Sequence, residues 1–193
     1  MKHRHFILHK PFGYLSQFVN NQSIRKNKKL LGELGDFPEG TMAIGRLDED
    51  SEGLIFLTTN GITSEQVRSK KVEKEYYAQV DGDITPDAIQ QLQQGVEIGI
   101  KGTKYTTLPC NAFKLSTPPD FPPRTKKIRD DRHGPTSWVS ITVTEGKYRQ
   151  VRKMTAAVGF ATLRLMRVRI ADIQLGDLAA GEWIEVEGFG VDA

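Results

Sequence analysis

Apolar positions fall in short runs separated by polar and turn residues, which predicts strands with single helices between them. Phe6-Ile7-Leu8 before Lys10-Pro11-Phe12-Gly13 reads as a strand ending in a turn, because proline fixes its own φ and biases the residue before it toward extended geometry. A basic loop over Asn20 to Lys29 precedes a short helix at Leu30 to Leu34. Thr41 to Ile44 reads as a strand entering the loop Gly45 to Gly53, and Leu54 to Leu57 as a buried strand leaving it. Ser64 to Ser69 is expected helical, and Tyr76, Ala78 and Val80 alternate as a half-buried strand. Thr85 is placed to cap a helix with Pro86 at its first position and Ala88, Ile89 and Leu92 on one face, ending before Gly95.

Thr106 to Leu115 is expected as a strand. The stretch from Ser116 to Pro135 holds five of the nine prolines and six Arg, Lys or His residues, and reads as a long loop outside any core. Val139, Ile141 and Val143 alternate as a strand, Glu145-Gly146 turns it, Arg149 to Val158 forms a helix stopped by Gly159, and 163–170 returns as strand. Strands in irregular alternation with single helices predict an α+β fold with a mixed, mainly antiparallel sheet. No internal repeat is visible.

Composition narrows the class. A chain of 193 residues, 38% hydrophobic and 26% charged, suits one globular unit, with no run near the ~18–20 apolar residues of a membrane span. The three-residue apolar run near the start is far short of a signal-peptide core. The single cysteine, Cys110, excludes an intramolecular disulfide and speaks against a cysteine zinc site, so a reducing cytoplasm is expected. Net charge is only +3, but bases concentrate at Arg25 to Lys29, Arg68 to Lys74, Arg124 to His133 and Lys147 to Arg169. The end from Gly181 to Ala193 carries four acids and no base. That asymmetry suggests one basic face for a polyanion, against the plainer reading of solvated charge runs.

The loop Gly45-Arg46-Leu47-Asp48-Glu49-Asp50-Ser51-Glu52-Gly53 crowds four carboxylates into five positions, a costly arrangement unless they are solvated, paired or bound to a cation. A calcium loop fails at its twelfth position, which is Thr59 rather than a bidentate Glu, and the apolar strand stands where the exiting helix should be. A plain acidic turn explains Glu49, Asp50 and Glu52 but not Gly45 to Asp48. There Leu47 should point inward, with Arg46 and Asp48 sharing the other side of an extended backbone. A carboxylate held beside arginine stays ionised, which suits a nucleophile and not a general acid.

The helix opening Lys147 to Lys153 poses the opposite problem, since positive charge at a helix N-terminus opposes the macrodipole by roughly 0.3–1 kcal/mol per exposed group. An external anion would resolve it. Arg149, Arg152 and Lys153 lie at i, i+3 and i+4 as a basic stripe, while Val151, Met154 and Val158 define the buried side. RNA phosphate with one carboxylate from the acidic loop would satisfy that stripe; a solvated amphipathic helix is the plain alternative.

The segments KPFGYLSQF, GRLDEDSEGLIFLTTNG, KEYYAQVDG and EGKYRQVRKMTAAVGFATLRLMRVRIADIQLGDLAAGEW together resemble, in order, the motifs of the RsuA/RluE family of ribosomal RNA pseudouridine synthases. The resemblance covers nearly the whole chain and is nearest the branch acting on large-subunit (23S) ribosomal RNA. It implies the pseudouridine synthase fold, α+β, with two lobes around a mixed, mainly antiparallel sheet and a central active-site cleft. The lobes would be 1–66 plus 170–193, and 67–169, within one catalytic domain. It implies Asp48 as catalytic aspartate, Tyr76 as the aromatic packing on the target uracil, and Arg152 as the basic partner of Asp48. Lys10, Arg46, Lys74, Arg149, Val151 and Lys153 would hold the RNA or the target base, Arg46 keeping the flipped-out state open and Val151 lining the pocket.

Many members of the family carry an N-terminal S4-type RNA-binding module; here the first catalytic strand begins by Phe6, so no such module is expected and RNA affinity must come from the catalytic domain's own basic loops. Isomerisation of uridine has no net redox or group-transfer component, so no cofactor and no metal are expected. The expected protein is a cytoplasmic monomer with ribosomal RNA as partner and no membrane association. Two other classes share parts of the pattern. A non-catalytic RNA-binding or ribosome-assembly factor would share the basic surface but would not require Arg46, Asp48, Tyr76 and Arg152 together. A carboxylate-dependent glycoside or nucleoside hydrolase needs two carboxylates at a set separation, and neighbours on a tight loop diverge.

Overall fold

The computed structural model describes residues 2–19, 28–129 and 131–191; most of the basic loop expected from Asn20 lies outside them. In chain order the strands are β1 (His5–Lys10), β2 (Tyr14–Leu15), β3 (Lys29–Leu30), β4 (Met42–Ile44), β5 (Glu52–Thr58), β6 (Lys74–Asp81), β7 (Glu97–Ile100), β8 (Thr103–Thr106), β9 (Asn111–Lys114), β10 (Thr136–Val143), β11 (Thr162–Ile170), β12 (Ile173–Gln174) and β13 (Trp183–Val186). The helices are α1 (Gly61–Ser69), α2 (Pro86–Gln94) and α3 (Gln150–Ala157), with short 3-10 turns at Leu31–Leu34 and Asp131–His133. The class is α+β, as the pattern predicts. Among the described residues no helix is long and apolar enough to cross a membrane.

The chain forms two compact units, Met1–Val72 with Arg167–Ala193, and Glu73–Met166. In the first, β1 runs antiparallel to β5 on one side and β13 on the other, and β4 also pairs antiparallel with β5. All seven residues of β5 are buried, as expected of Leu54 to Leu57, and the burial extends to Glu52 at its start. Phe6 meets Phe37 and Trp183 edge-on, each with ring centroids 5.4 Å apart, and Phe56 stacks on Phe189 at 4.2 Å. Such pairs add roughly 0.5–1.5 kcal/mol beyond the area they bury. Strand β13 comes from the end of the chain notable in sequence only for its acids; Ile184 lies opposite Ile7, and Glu185 pairs with Arg4 at 2.8 Å.

In the second unit β10 pairs antiparallel with β6 and with β9. Ala78, Val80, Val139 and Ile141 from the strands close a core with Ala88 and Leu92 of α2 and Val151 and Met154 of α3. Full burial of Leu92 or Met154 contributes roughly 1.5–3 kcal/mol each. The Thr85 hydroxyl accepts the Ala88 amide at 3.2 Å, so α2 starts where its cap dictates.

One expectation needs correction. Thr106 to Leu115 is not one strand, because β8 ends at Thr106 and β9 begins at Asn111. Pro109 has no amide to give a ladder, and its neighbours bond elsewhere: Thr107 and Cys110 amides reach Val96 and Gln93 carbonyls, and the Leu108 amide reaches the Glu145 carboxylate. The described residues of the 116–135 segment form a loop outside the core, as expected, and that loop is fastened to its unit. Phe121 lies 6.0 Å from the Trp138 ring and beneath the Arg164 guanidinium, which donates to the Pro122 carbonyl. Arg129 donates to Asp81 at 2.7 Å and to the Pro135 carbonyl at 2.9 Å.

Candidate active site

In the first unit the acidic loop is anchored through its backbone. Leu47 is buried while Arg46 is exposed and Asp48 half-buried, the disposition expected of an inward leucine between two outward groups. The Ser51 amide donates to the Asp48 carbonyl at 3.0 Å and closes the turn; the Glu49 carbonyl accepts the Gly13 amide at 2.8 Å. The chain then runs directly into β5, where a calcium loop would need a helix.

Lys10, grouped in sequence with the RNA-holding residues, is completely buried beneath this loop. Its ammonium donates to the Pro11 and Tyr14 carbonyls at 2.9 Å and to the Glu49 carbonyl at 3.4 Å. Burial pushes its pKa down to about 8, even though Glu52, Asp50, Glu49 and Asp48 all pull it upward. A cation shielded from water but facing carboxylates and satisfied by carbonyls ties the β1 turn to the loop. Gly53, opposite Lys10 in the β1–β5 ladder, has φ +111°, and a Cβ there would sit 2.2 Å from the Arg167 carbonyl oxygen. The loop thus ends at a place where only glycine lets backbone approach backbone. Asp48 is a half-buried carboxylic residue on a backbone bonded on either side.

In the second unit Lys74 and Tyr76 lie on β6, opposite Val143 and Ile141 of β10. Tyr76 is half-buried and packs on the core of its unit. Arg149 precedes α3 as its N-cap residue, in the left-handed region at φ 50°, so the expected basic stripe starts one residue before the helix itself. Val151 is buried; Arg152 and Lys153 are partly exposed. Lys153 donates to the Gly99 carbonyl at 2.8 Å and lies 5.0 Å from the Tyr148 ring centre.

One carboxylate of the chain also stands near the opening of α3. Glu145 accepts the Gln150 side-chain amide at 2.9 Å and the hydroxyl of Tyr105, and Lys147 sits 4.8 Å over the Tyr105 ring. The hydrogen bond to Glu145 raises the Tyr105 phenol above its ordinary pKa. Glu145, Gln150 and Ser16 all stand inside the motif segments, yet none is distinctive in sequence, because each acts on backbone or on a neighbour remote along the chain. Asp48 and Arg152, paired by the resemblance, belong to different units.

Residues 4–157 match the family model described as RNA pseudouridylate synthase. A ribosomal large subunit pseudouridine synthase E from Xanthomonas campestris pv. campestris is 39% identical over 179 residues, covering 92% of each chain. A protein of the same description from Vibrio parahaemolyticus is 38% identical, over 94% of this chain and 73% of its own. A ribosomal large subunit pseudouridine synthase B from Bacillus subtilis is 29% identical, over 92% of this chain and 66% of its own. Among solved structures, a crystal structure of a pseudouridylate synthase superposes with TM-score 0.74 at 25% identity, over 96% of this chain and 70% of that one.

Proposed function

The chain belongs to the RNA pseudouridylate synthase family, as an isomerase acting on RNA uridine, and we propose that its substrate is one specific uridine of large-subunit (23S) ribosomal RNA, with Asp48 as nucleophile. The observation that carries this reading is the acidic loop itself, where the backbone on both sides of a half-buried Asp48 is bonded to neighbouring chain. The relatives named for the large subunit support the substrate.

In this reading the target uridine leaves its stack at a cost of a few kcal/mol, and the Tyr76 ring packs on the uracil and recovers part of it. Arg152 serves as the basic partner of Asp48, Arg46 helps hold the flipped-out state open, and Lys74 offers a cation to the RNA backbone. Asp48 assists cleavage of the N1–C1′ bond, the uracil turns, C5 bonds to C1′, and the C5 proton leaves as N1 gains one. Atoms and charge balance within the nucleoside. Ribosomal RNA in the cytoplasm is the proposed partner, met by a single copy of the chain.

The test is Asp48→Asn, which keeps shape and removes the charge. Pseudouridine formation, read by tritium release from C5-labelled uridine and by position-resolved mapping of 23S RNA, should fall below detection with RNA affinity and melting temperature nearly unchanged. Retained turnover would remove the nucleophile assignment, and loss of modification at no large-subunit position in cells lacking the protein would remove the substrate assignment.

A further inference from the structure

The side chain of Ser16 holds both polar groups of one residue, Leu47, the neighbour of Asp48. Its hydroxyl donates to the Leu47 carbonyl at 2.6 Å and accepts the Leu47 amide at 3.0 Å. Both peptide planes flanking Leu47 are thereby bonded to one atom, and the second of them is the peptide that leads into Asp48. The same strip of chain that carries Ser16 also supplies the Gly13 amide to the Glu49 carbonyl, so bonds to the Lys10–Ser16 turn fall on either side of the aspartate. Leu47 is buried below, which stops the peptide rolling inward or outward.

We propose that Ser16 is a positioning residue for the reaction: its hydroxyl, through Leu47, sets the direction in which Asp48 presents its carboxylate. This rests on the reading of Asp48 as nucleophile. A hydroxyl is the smallest side chain that donates and accepts at one atom, so it can serve an amide and a carbonyl of the same residue together. Alanine loses both bonds at once, whereas threonine keeps the hydroxyl. A misplacement of about 1 Å at a reacting group is enough to cost on the order of a hundredfold in rate, while the fold, carried by β1, β5 and β13, does not depend on this contact.

Single-turnover rate constants at saturating RNA, RNA affinities and melting temperatures are compared for the wild type, Ser16→Ala, Ser16→Thr and Asp48→Asn, with hydrogen exchange at the Leu47 amide as a readout independent of activity. Ser16→Ala should lower the single-turnover rate about ten- to a hundredfold with RNA affinity unchanged, and Leu47 amide exchange should quicken. Ser16→Thr should restore both. An unchanged rate in Ser16→Ala, unchanged Leu47 exchange, or a threonine variant as slow as alanine each overturns the positioning role. A loss of rate matched by the fraction unfolded also overturns it, since Ser16 would then be structural only. If Asp48→Asn is inactive while Ser16→Ala is fully active, this inference alone fails; if Asp48→Asn keeps its turnover, the nucleophile reading fails and the role of Ser16 with it.

Discussion

The acidic loop, residues 45–53, and the basic segment, 116–135, are both charged loops, and they differ in what is bonded beside the charge of interest. In the acidic loop main-chain groups on either side of Asp48 are bonded, the carbonyls of Asp48 and Glu49 and both polar groups of Leu47, with the close glycine approach at Gly53; the Glu49 carboxylate also pairs with Lys28 at 2.7 Å. Asp48 itself is half-buried. In the basic segment charged side chains are themselves fixings. Arg129 is spent on Asp81 and Pro135, and Arg124 on the Lys126 carbonyl. A charge count along the sequence treats these loops alike. In the basic segment the Arg129 charge is itself a fixing, whereas beside Asp48 the bonds on either side are main-chain ones.

The sharpest way to break the contrast is at two glycines, both with positive φ. At Gly53, φ +111°, a Cβ would stand 2.2 Å from the Arg167 backbone, whereas at Gly134, φ +96° in the basic segment, it would meet nothing within 4 Å. Gly134→Ala should cost only backbone strain, about 1–2 kcal/mol. Gly53→Ala adds a clash that no side-chain rotamer can relieve and should cost about 3–5 kcal/mol in urea unfolding. Equal costs would mean that Gly53 serves only its φ and that the close approach does not anchor the loop.

Lys10 sharpens the comparison from the side of charge, being a buried cation that holds the acidic loop through carbonyls. Its folded pKa, pushed down to about 8 from an ordinary 10.5, means that the unfolded chain binds this proton more tightly than the folded one. Its ionisation therefore weighs on stability in full below pH 8, and the burden lifts as pH rises from about 8 to about 10.5. Lys10→Met has no such proton. The stability of the wild type relative to Lys10→Met should rise by up to about 3 kcal/mol across that window, measured by denaturant unfolding at several pH values. A flat difference would place the ammonium in contact with water, contrary to its burial. The difference between the two proteins also removes the opposing alkaline titrations of Tyr77 and Tyr105, whose raised pKa values lower stability at high pH.

Much of the fold was legible because local signals and packing agree. Thr85 and Pro86 open α2, the apolar run at Leu54 becomes the buried β5, and the alternation at Tyr76 becomes β6. Strand β13 escaped because its partner β1 lies at the other end of the chain and its own pattern is short and acidic. The break between β8 and β9 was announced by Pro109 but overridden by the apolar residues around it. At the candidate site, what was readable is burial: the inward Leu47 between Arg46 and Asp48, and the buried side of α3 at Val151 and Met154. The bonds of Ser16 and Glu145 were not, nor was the burial of Lys10, because these side chains bond main chain or partners far along the sequence, which no spacing rule records.

The smallest effect lies in the basic segment, where the comparison separates neighbours that sequence groups together. Lys126 and Lys127 are exposed, while Arg129 is mostly covered and donates inward. If the segment meets RNA, phosphate contacts should come from the two lysines. Neutralising both should lower the slope of log affinity against log salt by between roughly 1 and 2, since each phosphate contact on a single strand contributes about 0.7. Stability should be unchanged. Arg129→Ala should leave the slope alone and cost roughly 1 kcal/mol of stability, its ion pair with Asp81 being open to water on the acid's side. Fluorescence titrations of an RNA fragment at several salt concentrations, run beside melting curves, separate the two outcomes. A slope that flattens as much in Arg129→Ala as in the double lysine variant would show that Arg129 leaves Asp81 for phosphate, and its charge would then not be a fixing of the segment.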